Sequence, residues 1–255
     1  MGPGSRRVSG ELVRAYPSTN VGSEGELIAP GELSRWLLHR LAQLARSPQS
    51  VLISGETGTG KTLFAQHLHE HGAAARTLRI MNCAALRDGL LADLLSDLDA
   101  APTTLFLDEV GELSPWGQAV LLRRLQHEHP HTRFIAATHR DLSQMVKHGH
   151  FSGELLAKLS GASLTVSPLR ARREEVVPLA LHFLRIGLRS ANLKLISVEP
   201  ELFELVERHD WPGNVRELRN AMLNALAVND SGTLEIADLP DAVRAPPAAA
   251  KGYSR

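Results

Sequence analysis

The chain has 255 residues, with 28 basic residues, 28 acidic residues and a single cysteine. This length has room for one domain of ordinary size and a smaller one. The balanced charge gives no overall positive field for nucleic acid or an anionic membrane, and one cysteine excludes an internal disulfide framework. No signal-like or membrane-spanning apolar run is visible, so we expect a cytoplasmic protein that does not engage a membrane.

The first part of the chain alternates strand-like and helix-like patterns. Gly, Ser and Pro are frequent in residues 1–26, which we expect to be a flexible tail. After this tail, short apolar runs alternate with amphipathic segments, a pattern typical of a parallel α/β sheet. The predicted strands are Val51–Ile53, Leu105–Leu107 and Phe134–Ala137, and the predicted helices are Leu33–Ala45, Leu63–His71 and Gly117–Gln126.

From Glu174 onward the pattern is only helical. The predicted helices there are Val176–Leu188, Pro200–His209, Val215–Val228 and Ile236–Val243. We therefore predict an α/β domain over residues 27–170, a small helical subdomain over 171–243, and a second flexible tail over 244–255.

The segment VLISGETGTGKTLFAQHLHEHG places a strand, the pattern G-x-x-x-x-G-K-[ST] and a helix in succession, which predicts a P-loop. The glycines allow backbone N–H groups to turn toward phosphate oxygens, and the helix dipole favours the same anion. Lys61 supplies a positive charge to the outer phosphates, and the Thr62 hydroxyl is a magnesium ligand. The predicted nucleotide-binding residues are Gly55, Glu56, Thr57, Gly58, Thr59, Gly60, Lys61 and Thr62.

The segment TTLFLDEVGEL ends an apolar strand in Asp108 and Glu109. Beside a P-loop, one carboxylate can hold Mg²⁺ and a second can polarise a water for in-line attack on a phosphate. We predict Asp108 as the metal ligand and Glu109 as the catalytic carboxylate. Together the two segments predict binding of ATP with Mg²⁺.

Several segments resemble one family, the AAA+ ATPase domain of bacterial enhancer-binding proteins, which activate transcription with the sigma-54 RNA polymerase. They are GETGTGKT, MNCAAL, TLFLDEVGEL, FIAATHRDL, SPLRARREEVVPLALHFL and WPGNVRELRN, in the family's order. The resemblance implies a P-loop AAA+ fold, with a three-layer parallel sheet domain followed by a helical lid. It also implies that Arg216 senses the γ-phosphate from the lid, and that Asn82 switches Glu109 between resting and active positions.

The sequence departs from this family in the region before the acidic strand. Family members carry a long insertion there with a G-A-F-T-G-A loop that contacts sigma-54. Here the stretch from Leu86 to Thr104 encloses only RDGLLADLLSDLDAAPT, for which we predict one helix and a turn. The resemblance therefore implies an activator-like ATPase module that lacks the element for direct sigma-54 contact.

A second departure concerns two arginines that family members place across a ring interface, where Ser152 and Lys158 stand here. An arginine finger contributes about 10³-fold or more in related phosphoryl-transfer systems, and lysine lacks its planar fork. Two interpretations of Lys158 stay open: a partial substitute for the finger, or an ordinary exposed helix residue. A third departure is His139, in place of the usual asparagine at a strand tip, where an imidazole can still contact a phosphate or a water.

The resemblance implies a homo-oligomeric ring, with a hexamer as one form, and a partner in a full-length enhancer-binding relative or the transcription machinery. We expect no sensory domain in the short N-terminal tail and no DNA-binding domain after Val243. Two functions stay open: an oligomeric Mg²⁺-dependent ATPase that regulates transcription through a partner, and a nucleotide-dependent scaffold with little or no turnover. We expect the histidine-rich segments QHLHEHG and QHEHPHT to be solvated surface, and Cys83 to be a packing residue.

Overall fold

The computed structural model describes residues 32–72, 76–86, 88–96, 98, 101–126, 131–190 and 197–245. The predicted tail over 1–26 lies outside these residues, as does the predicted tail over 244–255 except for its first two residues. Contacts divide the chain between Pro168 and Leu169 into two compact units. The first unit covers residues 35–168, and the second contains the described residues from Leu169 onward together with residues 32–34.

The first unit is built on a five-stranded parallel sheet. Its strands are β1 (Val51–Ser54), β2 (Thr77–Asn82), β3 (Thr103–Asp108), β4 (Thr132–Thr138) and β5 (Ala162–Thr165). They lie in the order β2-β3-β4-β1-β5. This parallel α/β arrangement confirms the predicted fold class.

Burial explains which strands the sequence predicted. The interiors of β1, β3 and β4 are buried throughout, and these are the continuous apolar runs recognised in the sequence. The edge strands β2 and β5 were missed, because each has only one buried residue, Met81 and Leu164 respectively, among exposed or half-buried positions that include polar residues. A short, partly exposed edge strand has no continuous apolar run by which to recognise it.

Among the described residues, six helices accompany this sheet, and the first of them begins three residues before the first unit does. They are α1 (Glu32–Ala45), α2 (Lys61–Glu70), α3 (Asp88–Ser96), α4 (Pro115–Gln126), α5 (Leu142–Lys147) and α6 (Gly153–Leu159). The core between α3, α4 and the sheet includes Leu91, Leu105 and Leu121, each at most 1% exposed. Arg133 on β4 ties helix ends to the sheet, because its guanidinium donates to the carbonyls of Leu44, Ala45 and Leu68.

The second unit is mainly helical, with α7 (Val176–Ser190), α8 (Pro200–Arg208), α9 (Asn214–Val228) and α10 (Asp241–Arg244). Its core surrounds the fully buried Trp211. The expectation that this part is only helical was wrong, since β6 (Ser197–Val198) pairs with β7 (Thr233–Leu234). The predicted helix over Ile236–Val243 is two pieces, a 3-10 turn over Ile236–Asp238 and α10, because Pro240 cannot continue a hydrogen-bonded helix.

Within the part of the chain that the structure describes, no helix combines the length and apolar character that a membrane crossing requires.

Candidate functional site

The candidate site lies where parallel strands end together. β1 leads into the P-loop, β3 ends at Asp108, and β4 ends at Thr138 immediately before His139. The register pairs Ser54 with Thr138, and the backbone N–H of Gly55 donates to the Thr138 carbonyl at 3.2 Å. Carboxyl ends of parallel strands share one sheet edge, so residues far apart in sequence meet there.

The P-loop occupies residues 55–62 and passes directly into α2. Gly60 precedes this helix at φ 101°, a left-handed conformation that favours glycine. A Cβ at Gly55 would lie 2.7 Å from the Val166 carbonyl oxygen, so a side chain does not fit there. No side chain caps the start of α2, which leaves its first backbone N–H groups to bind an anion.

Lys61 is the buried cation of the loop, at 6% exposure. Its ammonium donates to the carbonyls of Gly55 at 2.9 Å and Glu56 at 3.2 Å. It also lies 3.6 Å from the Glu109 carboxylate, which is an ion pair beyond hydrogen-bonding distance. Thr59 is buried as well, and its hydroxyl donates to the Glu56 carbonyl at 2.8 Å.

Glu109 adopts an uncommon backbone conformation at the end of β3. Its φ is 54°, in the left-handed region, and it caps the 3-10 turn Val110–Glu112. Non-glycine residues rarely adopt this conformation, and they are often found at functional sites. The chain therefore leaves β3 and enters the 3-10 turn immediately after the acidic pair.

Glu109 and His139 are in close polar contact. Oε2 of Glu109 lies 2.6 Å from the His139 Nδ1 and accepts from the His139 backbone N–H at 3.1 Å. Burial by itself would raise the pKa of Glu109, but the hydrogen bonds from His139 and the charge of Lys61 together lower it. Glu109 is therefore an ionised carboxylate at neutral pH.

Two residues at this edge of the sheet have side-chain oxygen atoms that suit Mg²⁺. Thr62 is exposed in the first turn of α2, and Asp108 is half-buried at the end of β3. No three His, Cys, Asp or Glu side chains cluster as a metal site among the residues that the structure describes. A hydroxyl and one carboxylate suit Mg²⁺, because water molecules and substrate phosphates supply most of the ligands of this ion.

Three other residues singled out in the sequence have no described contact with Lys61, Glu109 or His139: two cap helical turns, and one is exposed. The Asn82 side chain accepts from the Ala84 backbone N–H at 3.0 Å and so caps a 3-10 turn. Ser152 caps α6 by accepting from the Leu155 N–H, a role that the sequence analysis missed although Ser at a helix start is a recognised signal. Lys158 is exposed in the last turn of α6.

Two of the residues assigned to packing or to surface positions also have defined environments. Cys83 is buried, and its burial, followed by the charges of Asp108 and Glu109, raises the pKa of its thiol to about 12. His67 is half-buried and stacks on His71 with ring centroids 3.9 Å apart. His127 and His129 lie outside the described residues. Because its pKa is raised to about 12, the Cys83 thiol is protonated and inert at neutral pH.

Arg216 belongs to the second unit, where it is exposed in the first turn of α9. Trp211, in the turn before this helix, has φ 49°, and Asn214, the first residue of the helix, has φ 54°; both are fully buried. Oδ1 of Asn214 accepts from the Leu169 backbone N–H at 2.8 Å, and Trp211 Nε1 donates to the Val206 carbonyl at 2.8 Å. The start of the helix that carries Arg216 is thereby held by buried contacts.

Sequence comparison identifies the family. A profile of the sigma-54 interaction domain matches residues 28–169, more than half of the chain. The chain belongs to the sigma-54 interaction domain family. A profile of the AAA+ ATPase lid domain matches residues 170–254. The described fold and these matches confirm the P-loop AAA+ assignment, with a lid following the sigma-54 interaction domain.

Relatives of this domain are bacterial transcription regulators. The transcriptional regulatory protein ZraR of Klebsiella oxytoca is 35% identical over 272 aligned positions, covering 95% of this chain and 60% of ZraR. The regulatory protein AtoC of Escherichia coli is 38% identical over 234 positions, covering 80% of this chain and 51% of AtoC. The chain thus spans between half and three fifths of the length of these relatives.

A solved structure has the same fold. NtrX from Brucella abortus in complex with ATP superposes with a TM-score of 0.79 at 23% identity, covering 89% of this chain and 57% of NtrX. In the present sigma-54 interaction domain, the described residues between Leu86 and Thr103 include the single helix α3, and no G-A-F-T-G-A segment occurs in the sequence.

Proposed function

We propose that this chain is a Mg²⁺-dependent ATPase module that works in an oligomer and regulates transcription through a partner. The observation that carries the proposal is the meeting of Lys61, Glu109 and His139 at one sheet edge, with an ionised Glu109 carboxylate 3.6 Å from the Lys61 ammonium. A cation and a carboxylate at the mouth of a phosphate-binding loop are the groups that phosphoryl transfer to water requires.

In this proposal each residue has a distinct task. The P-loop N–H groups and Lys61 bind the phosphates and neutralise their charge, which lowers the cost of adding a nucleophile. Glu109 accepts a hydrogen bond from the attacking water and orients it for in-line attack. Thr62 and Asp108 hold Mg²⁺, which supplies further neutralisation of phosphate charge when it is bound. Arg216 senses the γ-phosphate from the lid.

The proposal extends to assembly and partners. The relatives ZraR and AtoC are regulatory proteins, and the family resemblance implies a homo-oligomeric ring, with a hexamer as one form. A full-length enhancer-binding relative or the transcription machinery is the partner class. The short interval around α3 argues against direct contact with sigma-54 by the usual loop. Lys158, exposed on α6, is the residue to test as a substitute for the arginine finger.

A second function, a nucleotide-dependent scaffold with little turnover, is favoured by Ser152. In the position where the family has an arginine, this side chain caps α6 and cannot act as a finger. Such a scaffold needs only that its open and closed states differ in nucleotide affinity, because bound ATP then shifts their populations.

Steady-state ATP hydrolysis per subunit, measured across protein concentration with Mg²⁺, separates the two functions. We expect a rate that rises with concentration and falls about 100-fold or more in Glu109→Gln, because the variant loses the group that orients the water. Lys158→Ala is then expected to lower the rate only at concentrations where the protein is assembled. A negligible rate at every concentration, with ATP binding retained in calorimetry, would establish the scaffold instead.

A further inference from the structure

The last turn of α2 contains a sequence pattern that the nucleotide site does not use. Residues 67–71 read H-L-H-E-H, which matches H-x-x-E-H, the arrangement with which one class of zinc enzymes binds Zn²⁺ through its two histidines. His67 and His71 are four residues apart, so they lie on one face of the helix, whereas His69 lies on another. The pattern is short and matches a solvated surface as well, so its meaning depends on the geometry of the two rings.

The rings of His67 and His71 lie side by side. Their centroids are 3.9 Å apart and their planes are inclined by 26°. His67 is half-buried in this arrangement and His71 is exposed, so the pair is partly ordered by packing and still open to solvent. Zn²⁺ binds imidazole nitrogens at about 2.0–2.1 Å, so one ion can join both rings after small rotations of the side chains.

A hydrogen bond fixes which nitrogen of His71 is available to a ligand. Its Nδ1 lies 3.0 Å from the His67 carbonyl oxygen, which only accepts hydrogen bonds, so Nδ1 carries the proton. In the neutral ring the lone pair is then on Nε2, where a metal ion can bind. Metal-binding histidines commonly have this arrangement, in which the other ring nitrogen donates to a carbonyl or a carboxylate and orients the ring.

The charges around the pair favour a bound cation. Burial, followed by the charge of His71, lowers the pKa of His67, so this imidazole is neutral at pH 7 and can act as a ligand. The Glu70 carboxylate acts on the pKa of His67 in the opposite sense, which shows that a negative charge lies near the pair. The pair also lies at the carboxyl end of α2, where the helix dipole favours positive charge. The positive charge of Arg133 acts on His69 and is not among the charges that act on His67.

From this geometry we propose that His67 and His71 form a binding site for a divalent transition-metal ion, with Zn²⁺ as the expected ion. Imidazole ligands suit Zn²⁺, whereas Mg²⁺ prefers oxygen donors such as those proposed at the nucleotide site. The two sites are at opposite ends of α2, a ten-residue helix that is about 15 Å long. The metal site is therefore separate from the phosphate site and does not depend on the proposed ATPase function.

Two protein ligands define the kind of site this is. Among the residues that the structure describes, no third His, Cys, Asp or Glu side chain joins the pair, so water completes the coordination of the ion. Structural zinc sites have four protein ligands, and a site with two fills and empties with the concentration of the ion. A bound ion joins the last turn of α2 and thereby stabilises the helix that begins at Lys61.

Calorimetric titration of the nucleotide-free, untagged chain with ZnCl₂ tests the site directly. We expect one Zn²⁺ per chain and a Kd weakened about 100-fold or more in His67→Ala and in His71→Ala, because loss of a group that only orients a ligand already costs about 10- to 100-fold. Glu70→Gln should weaken the Kd by about two- to fivefold, as expected for one exposed charge. His148→Ala is the matched control and should leave the Kd unchanged. The Nδ1 of His148 makes the same contact with the carbonyl four residues earlier, but that residue is Gln144.

Thermal unfolding separates loss of the site from loss of the fold. Because His71 is exposed, His71→Ala should unfold within about 2 °C of wild type when no metal is present. Zn²⁺ at about 100 times its Kd should raise the unfolding temperature of wild type by about 5 °C or more and leave that of His71→Ala unchanged. Mg²⁺ without nucleotide should have no such effect, because imidazole is a poor ligand for it.

Three results would overturn the proposal. One is the absence of Zn²⁺ binding by wild type. Another is binding that His67→Ala and His71→Ala both retain, because the ion would then be an adventitious ion only, held elsewhere. The third is a loss of binding in His148→Ala, which would assign the ion to His148 and its stacked neighbour His150. A chain that binds Zn²⁺ at the pair but fails to hydrolyse ATP would keep this site and refute only the proposed ATPase function.

Discussion

The sheet edge of the first unit and the turn at the start of α9 in the second unit (Trp211–Asn214) both contain non-glycine residues in the left-handed region. At the sheet edge this residue is Glu109, whose side chain is 21% exposed and lies 3.6 Å from the Lys61 ammonium of the P-loop. In the turn they are Trp211 and Asn214, both fully buried with partners inside their own unit. Each such conformation costs on the order of 1–3 kcal/mol. The same backbone conformation thus occurs at a part-exposed residue of the candidate site in one unit and in a buried, packed turn in the other.

The largest expected effect is on the fixed turn. Trp211→Ala removes a fully buried ring and should lower the free energy of unfolding by about 3–5 kcal/mol. Trp116→Ala is the matched control, because that ring is 45% exposed and its loss should cost less than about 0.5 kcal/mol. Urea unfolding followed by circular dichroism measures both changes. Equal effects at the two positions would show that the turn is not a packed, rigid element.

A smaller effect is expected at Asn214, where strain and a hydrogen bond can be separated. Asn214→Ala loses the bond from the Leu169 N–H and keeps the unfavourable φ, so we expect a loss of about 2–3 kcal/mol. Asn214→Gly loses the same bond but tolerates the conformation, and should be about 1 kcal/mol more stable than the alanine variant. If the alanine variant proves the more stable of the two, the left-handed conformation is not a source of strain in this turn.

The smallest effect on stability is expected at Glu109. Glu109→Gln should change the free energy of unfolding by less than about 1 kcal/mol at neutral pH, because the residue is part-exposed and its partners remain. The folded-state pKa of Glu109 lies below its ordinary value of 4.5, so the ionised form stabilises the fold above that pH. The advantage of wild type over the variant should therefore vanish as pH falls through the folded-state pKa. A difference that grows on acidification would contradict this sign.

The extent to which the sequence predicted the structure varied with burial. The central strands were recognised because their interiors are wholly buried, so each reads as an apolar run, as Leu105–Leu107 does within β3. Edge strands β2 and β5 were missed because exposed positions interrupt that pattern. The pairing of β6 with β7 was missed for another reason: strands of two residues carry no periodicity to detect.

The candidate site shows a similar division. The P-loop residues and the pair Asp108 and Glu109 were proposed as site residues from the sequence, because their spacing after apolar strands has a direct chemical meaning. The contact between Glu109 and His139 was not, since the residues are 30 positions apart and only parallel pairing of β3 with β4 brings their strand ends together. The contact of Asn82 with Ala84 was likewise invisible, because a short polar side chain at a strand end can cap a turn or reach across the sheet edge.

The sequence by itself determined which residues are proposed to carry the chemistry. Lys61, Thr62, Asp108 and Glu109 were recognised from their residue types and from their positions after apolar strands, and such patterns extend over only a few residues. Only the tertiary structure decided which groups lie against the Glu109 carboxylate. Register and strand order depend on packing across the whole sheet, and a single hydrogen bond at 2.6 Å between two strand ends is a consequence of that packing rather than of any motif.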